Sequence, residues 1–214
     1  MAFTPPPRAV TILDDKKFSI FGPSTGTGTP RLFFGVTNNG NPYAMVFTND
    51  PNDTEKTPIR AAMDPVIWGA FVSTCKAVWA DPKFPCEVRM ENKTGKPTAT
   101  MTDTVSVIGR DDKGVCYIAI LKKGRPAKRF SILPTIYMNL VDRDGNQVPE
   151  GRQSELFAPG WLASLDFHVN DLVAKMYKPF EGNAPNKGGG YNKQPANNTH
   201  SSSNNHAFDD DIPF

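Results

Sequence analysis

The chain has 214 residues, 21% of them charged, with three cysteines and a formal net charge of +2. Three scattered cysteines (Cys75, Cys86, Cys116) with no CxxC spacing exclude a disulfide scaffold and suit a reducing compartment; no apolar run approaches the length of a membrane span. The small net charge conceals an asymmetry, because from Glu181 onward two lysines face one glutamate and three aspartates, which leaves residues 1–180 four charges basic.

Met1 to Arg8 lacks the apolar centre of a signal peptide, so a cytoplasmic protein is expected. Pro5 to Pro7 stiffen the start of the domain, and short strands are predicted at Ala9–Leu13 and Phe18–Phe21. Gly22 to Pro30 is rich in Gly and Thr, but it lacks both the Gly-Lys-Ser/Thr ending and the GxGxxG spacing of a phosphate cradle. It reads as a surface loop.

Arg31 to Thr37 alternates cleanly. Leu32, Phe34 and Val36 share one face; Arg31, Phe33, Gly35 and Thr37 share the other. Asn38 to Pro42 is a turn, and Tyr43–Thr48 returns as the second strand of a hairpin. The second face carries a cation, an aromatic and a glycine, a composition suited either to stacking a base or to packing Phe33 under a loop. After a polar loop, Asp64-Pro65 opens a helix to about Ala80 with an N-cap and a proline at its first position. Its apolar residues, Trp68 and Trp79 among them, read as core.

Three further strands are predicted at Cys86–Glu91, Thr104–Arg110 and Val115–Leu121, the last two joined by the turn Asp111 to Gly114. Arg129–Leu133 and Thr135–Val141 follow, and a second acidic turn stands at Asp142 to Gly145, where the glycine is misplaced for a calcium loop. Leu162, Leu165, Val169, Leu172 and Met176 then form the stripe of a terminal helix over about Gly160–Tyr177, beside which His168 reads as structural.

The densest run of charge is Lys122 to Arg129, with five cations in eight residues and no acid. Lys122, Lys123, Arg125, Lys128 and Arg129 make a basic loop suited to sequence-independent phosphate contacts. Tyr117 falls opposite Cys116, Ile118 and Ile120, and Tyr137 opposite Ile136, Met138 and Leu140. If the aliphatic sets are core, both tyrosines flank the loop as stacking platforms, with Phe33 and Phe130 beside them. No HExxH, GxSxG or metal-spaced Cys/His cluster is present, so neither a catalytic residue nor a cofactor or metal is expected.

Residues 181–207 are Gly, Asn, Ser, Pro and Lys with almost no aliphatics, a composition that cannot offset the entropy of ordering. They read as a disordered linker with a reach of about 28 Å. The chain then closes on Phe208-Asp209-Asp210-Asp211-Ile212-Pro213-Phe214, three carboxylates between two aromatics. This segment resembles the acidic tip of the bacterial single-stranded DNA-binding proteins, and the basic domain before it more resembles the diverged members found in bacteriophages.

The resemblance implies a mainly β, OB-fold-like barrel with one buried helix over residues 1–180, a C-terminal helix and a disordered acidic tail. The strand count by itself would also allow a sandwich. It further implies a sequence-independent single-stranded DNA-binding protein of replication, recombination and repair, acting in the host cytoplasm. DNA would be held by Arg31, Phe33, Tyr117, Lys122, Lys123, Arg125, Lys128, Arg129, Phe130 and Tyr137. The tip Phe208 to Phe214 would recruit replication and repair proteins, and self-association is allowed. Two readings of other classes stand beside it. One is an adaptor that captures a host enzyme by its tail without touching DNA; the other is a nuclease using Asp111/Asp112 and Asp142/Asp144 with a metal.

Overall fold

The computed structural model describes residues 11–26, 28–96, 99–135 and 138–177. Tyr137, the linker at 181–207 and the tip at 208–214 lie outside them. The described chain is mixed α and β: two four-stranded antiparallel sheets and two helices.

In the first sheet β1 (Ile20–Phe21), β2 (Arg31–Val36), β3 (Pro42–Phe47) and β4 (Ile59–Ala62) pair in sequence order. Helix α1 (Pro65–Ala80) follows, with Pro65 in its first turn and the Asp64 carboxylate accepting the Ile67 N–H at 2.7 Å. The second sheet repeats the plan with β5 (Cys86–Lys96), β6 (Ala99–Arg110), β7 (Cys116–Leu121) and β8 (Arg129–Ser131). Helix α2 (Glu150–Met176) closes it. Among the described residues no ladder joins the two sheets, so in place of the single closed barrel expected there are two separate meanders, each followed by a helix.

The two halves match in detail at an offset of 74 residues. Gly35 pairs with Tyr43, and Gly109 with Tyr117. The β2–β3 turn is closed by the Thr37 N–H to the Asn41 carbonyl at 2.9 Å, and the β6–β7 turn by the Asp111 N–H to the Val115 carbonyl at 3.0 Å. The Thr37 hydroxyl accepts the N–H groups of Asn39 and Asn41, as the Asp111 carboxylate accepts those of Lys113 and Val115. Gly40 and Gly114 supply the left-handed residue, at φ +77° and +82°.

One core unites these elements. Phe34 and Val46 of the first sheet, Ile108 and Ile118 of the second, Phe71 of α1 and Leu165 of α2 belong to a single buried cluster. Phe34 meets Trp68, Phe71 and Trp161 at ring separations of 5.9–6.0 Å, so both tryptophan-bearing helices close on one strand.

Three expectations change. Ile12–Asp14 is a short 3-10 turn in place of the strand predicted over Ala9–Leu13, because the Asp14 carboxylate accepts both the N–H and the hydroxyl of Thr11. No strand runs through residues 138–141; only a bridge from Val141 to Gln147 forms, since the chain folds back on itself around Asp142. Helix α2 starts ten residues before Gly160 and carries Pro159 inside it. The Ser154 hydroxyl donates to the Ile132 carbonyl at 2.6 Å and accepts the Cys116 N–H at 2.9 Å, docking the first turns on the second sheet. Tertiary packing here outweighs the helix-breaking bias of proline.

Candidate nucleic-acid interface

Alternation along β2 buries Leu32 and Phe34 completely and turns Arg31, Phe33 and Gly35 to the opposite side of the sheet. The register then completes that outer face. Phe21 and Phe47 both stand opposite Arg31, Met45 opposite Phe33, Tyr43 opposite Gly35, and Arg60 opposite Met45. Phe33 stacks on Phe47 at 5.7 Å with 14° between planes and meets Tyr43 edge-on at 6.3 Å. The Arg31 guanidinium lies 5.8 Å from the Phe21 ring and 5.4 Å from the Phe33 ring, held by its Nε donating to the Ser19 hydroxyl at 2.9 Å.

Phe33 is only 8% exposed, whereas Phe21 is 50% and Phe47 37% exposed. Phe33 is thus the floor of this face, and its exposed rings are Phe21 and Phe47. Sequence reading singled out Arg31 and Phe33 and missed Phe21, Phe47 and Arg60. The signal was present for Phe47, since Tyr43, Met45 and Phe47 alternate with the core residues Ala44 and Val46.

At the end of this face Tyr43 lies so close across Gly35 that a Cβ there would stand 2.5 Å from its hydroxyl oxygen. Arg60 sits over the Tyr43 ring at 4.3 Å. On the second sheet Tyr117 covers Gly109 in the same way, with Arg129 over its ring at 4.0 Å. Tyr117 does fall on the face opposite Ile118 and Ile120, as the alternation required. It is nonetheless 4% exposed, so it is not an open stacking platform. Its hydroxyl donates to Glu87 at 2.8 Å, and burial pushes its pKa up to about 12.

The basic loop also differs from expectation. Arg125 is spent on structure: its guanidinium pairs with Asp53 and Glu55 and donates to the Thr57 carbonyl. Lys128 pairs with Asp50 at 2.5 Å, and Lys122 stands 3.8 Å from Glu55. Each acid lies in the polar loop 49–58, which folds against the cations and neutralises them. Lys123 and Arg129 remain exposed, with no ion pair among the described residues. Phe130 is 0% exposed within the core and stacks no base, because β8 pairs in a register that turns it inward beside Ile118.

The acidic turns hold backbone. Asp142 accepts the N–H groups of Asp144 and Asn146 at 2.9 Å each, which lowers its pKa, and Asp111 is engaged likewise. Among the described residues no group of three or more His, Cys, Asp or Glu is placed to hold a metal ion. His168 is flanked edge-on by Phe18 and Phe167, at 5.3 and 5.2 Å. No described helix is long and apolar enough to cross a membrane.

Comparison with known protein families, with characterised proteins and with solved structures returns no match to this chain. The functional reading therefore rests on the geometry of the face itself.

Proposed function

We propose that the chain is a non-enzymatic, sequence-independent single-stranded DNA-binding protein. The observation that carries this reading is the outer face of the first sheet, where Arg31 stands between Phe21 and Phe33 and the exposed Phe47 extends the aromatic surface. Rings gain from any base, because every base offers a π face, and cations interleaved with them meet the phosphates. The OB-type closure that the tip's resemblance implies is not required for this chemistry, since an open antiparallel sheet offers the same alternation of ring and cation. Lys123, in the turn after β7, and Arg129, on β8, are further exposed cations. In this reading the acidic tip Phe208 to Phe214 recruits replication and repair proteins by its terminal aromatic and its carboxylates, in the cytoplasm of a host cell.

The test is the anisotropy of labelled oligo-dT at two salt concentrations with duplex and RNA competitors. Binding to the single strand that weakens with salt and resists duplex competition supports the proposal. Phe21→Ala and Phe47→Ala each should then cost about 1–3 kcal/mol of affinity with little change in melting temperature. No binding at low salt removes the proposal and leaves the adaptor reading, in which the tail captures a host enzyme and the core binds protein in place of DNA.

A further inference from the structure

Within the aligned hairpins at residues 31–47 and 105–121, the two halves are identical at only three positions: Gly35 and Gly109, Gly40 and Gly114, Tyr43 and Tyr117. Gly40 and Gly114 serve the turns. The other pairs build one constellation twice, a glycine with a tyrosine laid across it, and the adjacent strand adds a guanidinium in the same register. Arg60 lies opposite Met45 as Arg129 lies opposite Ala119, each two residues along from its tyrosine.

Covering a strand glycine with an aromatic ring is a structural device in its own right. It accounts for the glycine and the tyrosine and leaves the arginine unexplained. Arg31, Arg110 and Arg125 all donate hydrogen bonds to protein groups. Arg60 and Arg129 are exposed and make neither a hydrogen bond nor an ion pair among the described residues. Each is fixed by its ring with its N–H donors free. Each also borders an open cleft at the corresponding end of its sheet. One, of about 510 Å³, is flanked by Thr37, Pro42 and Arg60; the other, of about 370 Å³, by Asp111, Tyr117 and Arg129. Thr37 and Asp111 are themselves equivalent under the 74-residue offset.

We infer that the chain carries two equivalent nucleotide stations, Tyr43–Arg60 on the first sheet and Tyr117–Arg129 on the second, each holding one phosphodiester of a single strand. This rests on the single-strand binding proposed above and specifies where on the protein the phosphates sit. A guanidinium held over an aromatic face keeps N–H donors for phosphate oxygens, and a station of this kind is indifferent to sequence. The second station is the more acidic: Glu87 accepts the Tyr117 hydroxyl and borders the cleft with Asp111 and Asp112, which places carboxylates beside the phosphate position, whereas Asp64 borders the first.

The experiment is a salt series of oligo-dT anisotropy on the full chain, comparing wild type with Arg60→Gln, Arg129→Gln and the double variant. Lys76→Gln, on an exposed position of α1, controls for loss of a surface charge. Each station variant is expected to lower the slope of log affinity against log salt by about 0.7, and the double variant by about 1.4, the value for one and two phosphate contacts on a single strand. Lys76→Gln keeps the wild-type slope. Should a glutamine variant fail to fold, Arg→Lys at that position takes its place, with the slope kept and the affinity lower by several-fold. A wild-type slope in either glutamine variant, or unchanged affinity in its lysine substitute, overturns the two-station inference while single-strand binding stands. Wild-type protein that binds no single strand overturns both.

Discussion

Arg125 and Asp53 stand 72 residues apart in the chain and meet in a bidentate ion pair, Nε to Oδ1 at 2.5 Å and Nη2 to Oδ2 at 2.6 Å. Their side chains are 1% and 2% exposed. Asp53 also accepts the Thr48 hydroxyl, and Arg125 also engages Glu55 and the Thr57 carbonyl. This pair bolts the loop after β3 to the loop after β7. A residue that charge counting assigns to DNA is thereby committed to the fold.

Arg125→Ala should consequently act on stability. Removing one member strands a buried carboxylate, an effect of about 3–5 kcal/mol. Urea unfolding measures it, and under conditions where the variant is folded its salt slope for oligo-dT should equal that of wild type. A lower slope with unchanged stability would return Arg125 to the DNA-contacting set.

The same pair sets an acid limit. Hydrogen bonds from Arg125, with help from Thr48 and against the opposing effect of burial, hold the Asp53 pKa down to about 2 from 3.8. The folded value lies below the unfolded one, so the contribution is complete above the unfolded pKa and is lost as pH falls from there through about 2. Urea midpoints measured from neutral pH down to about pH 3 should fall more steeply in wild type than in Asp53→Asn. Parallel profiles would show that the pair is not the acid-sensitive element.

Gly35→Ala and Gly109→Ala should separate despite their equivalence. The nearest atoms that a Cβ at Gly35 meets all belong to the Tyr43 side chain, with no backbone among them. A Cβ at Gly109 meets the Tyr117 ring and also the Cys86 carbonyl oxygen at 2.7 Å, which is backbone of the neighbouring strand. Gly109→Ala is expected to cost about 1–3 kcal/mol, and Gly35→Ala less. Thermal melts of the two variants decide it, and equal losses would refute the distinction.

Glu87 offers a gain of function. The Arg89 hydrogen bond, followed by that from Tyr117, holds its carboxyl below the usual range, so it is ionised at neutral pH beside Arg129. Glu87→Gln keeps an oxygen for the Tyr117 hydroxyl and removes the charge. Affinity for oligo-dT at low salt should rise several-fold, and the gain should fade as salt screens the surface. Unchanged low-salt affinity would place the strand away from this corner.

The two hairpins and the first helix were legible because each is written locally. Period-two alternation, Asn-Gly or Lys-Gly turns and the Asp64-Pro65 cap depend on neighbours within a few residues. The start of α2 was not legible, since Pro159 argues against a helix, and the tertiary packing that overrides it, the Ser154 contacts to the second sheet included, is not written locally. Nor was the repeat, because three identities over 17 aligned positions are hidden until hydrogen-bond register pairs them.

From composition and pattern alone the chain determined its strand faces, its polar turns, its acidic terminal segment and the absence of any recognisable catalytic signature. These are properties of short stretches, and short-range sterics and hydrophobicity specify them. Only the tertiary structure decided which cations are free and which rings are reachable. Arg125 and Phe130 are spent in the interior, while Phe21, Phe47 and Arg60 come to one face. The reason is that charge neutralisation and burial depend on what packs against a residue from 70 positions away, and no local pattern carries that partner.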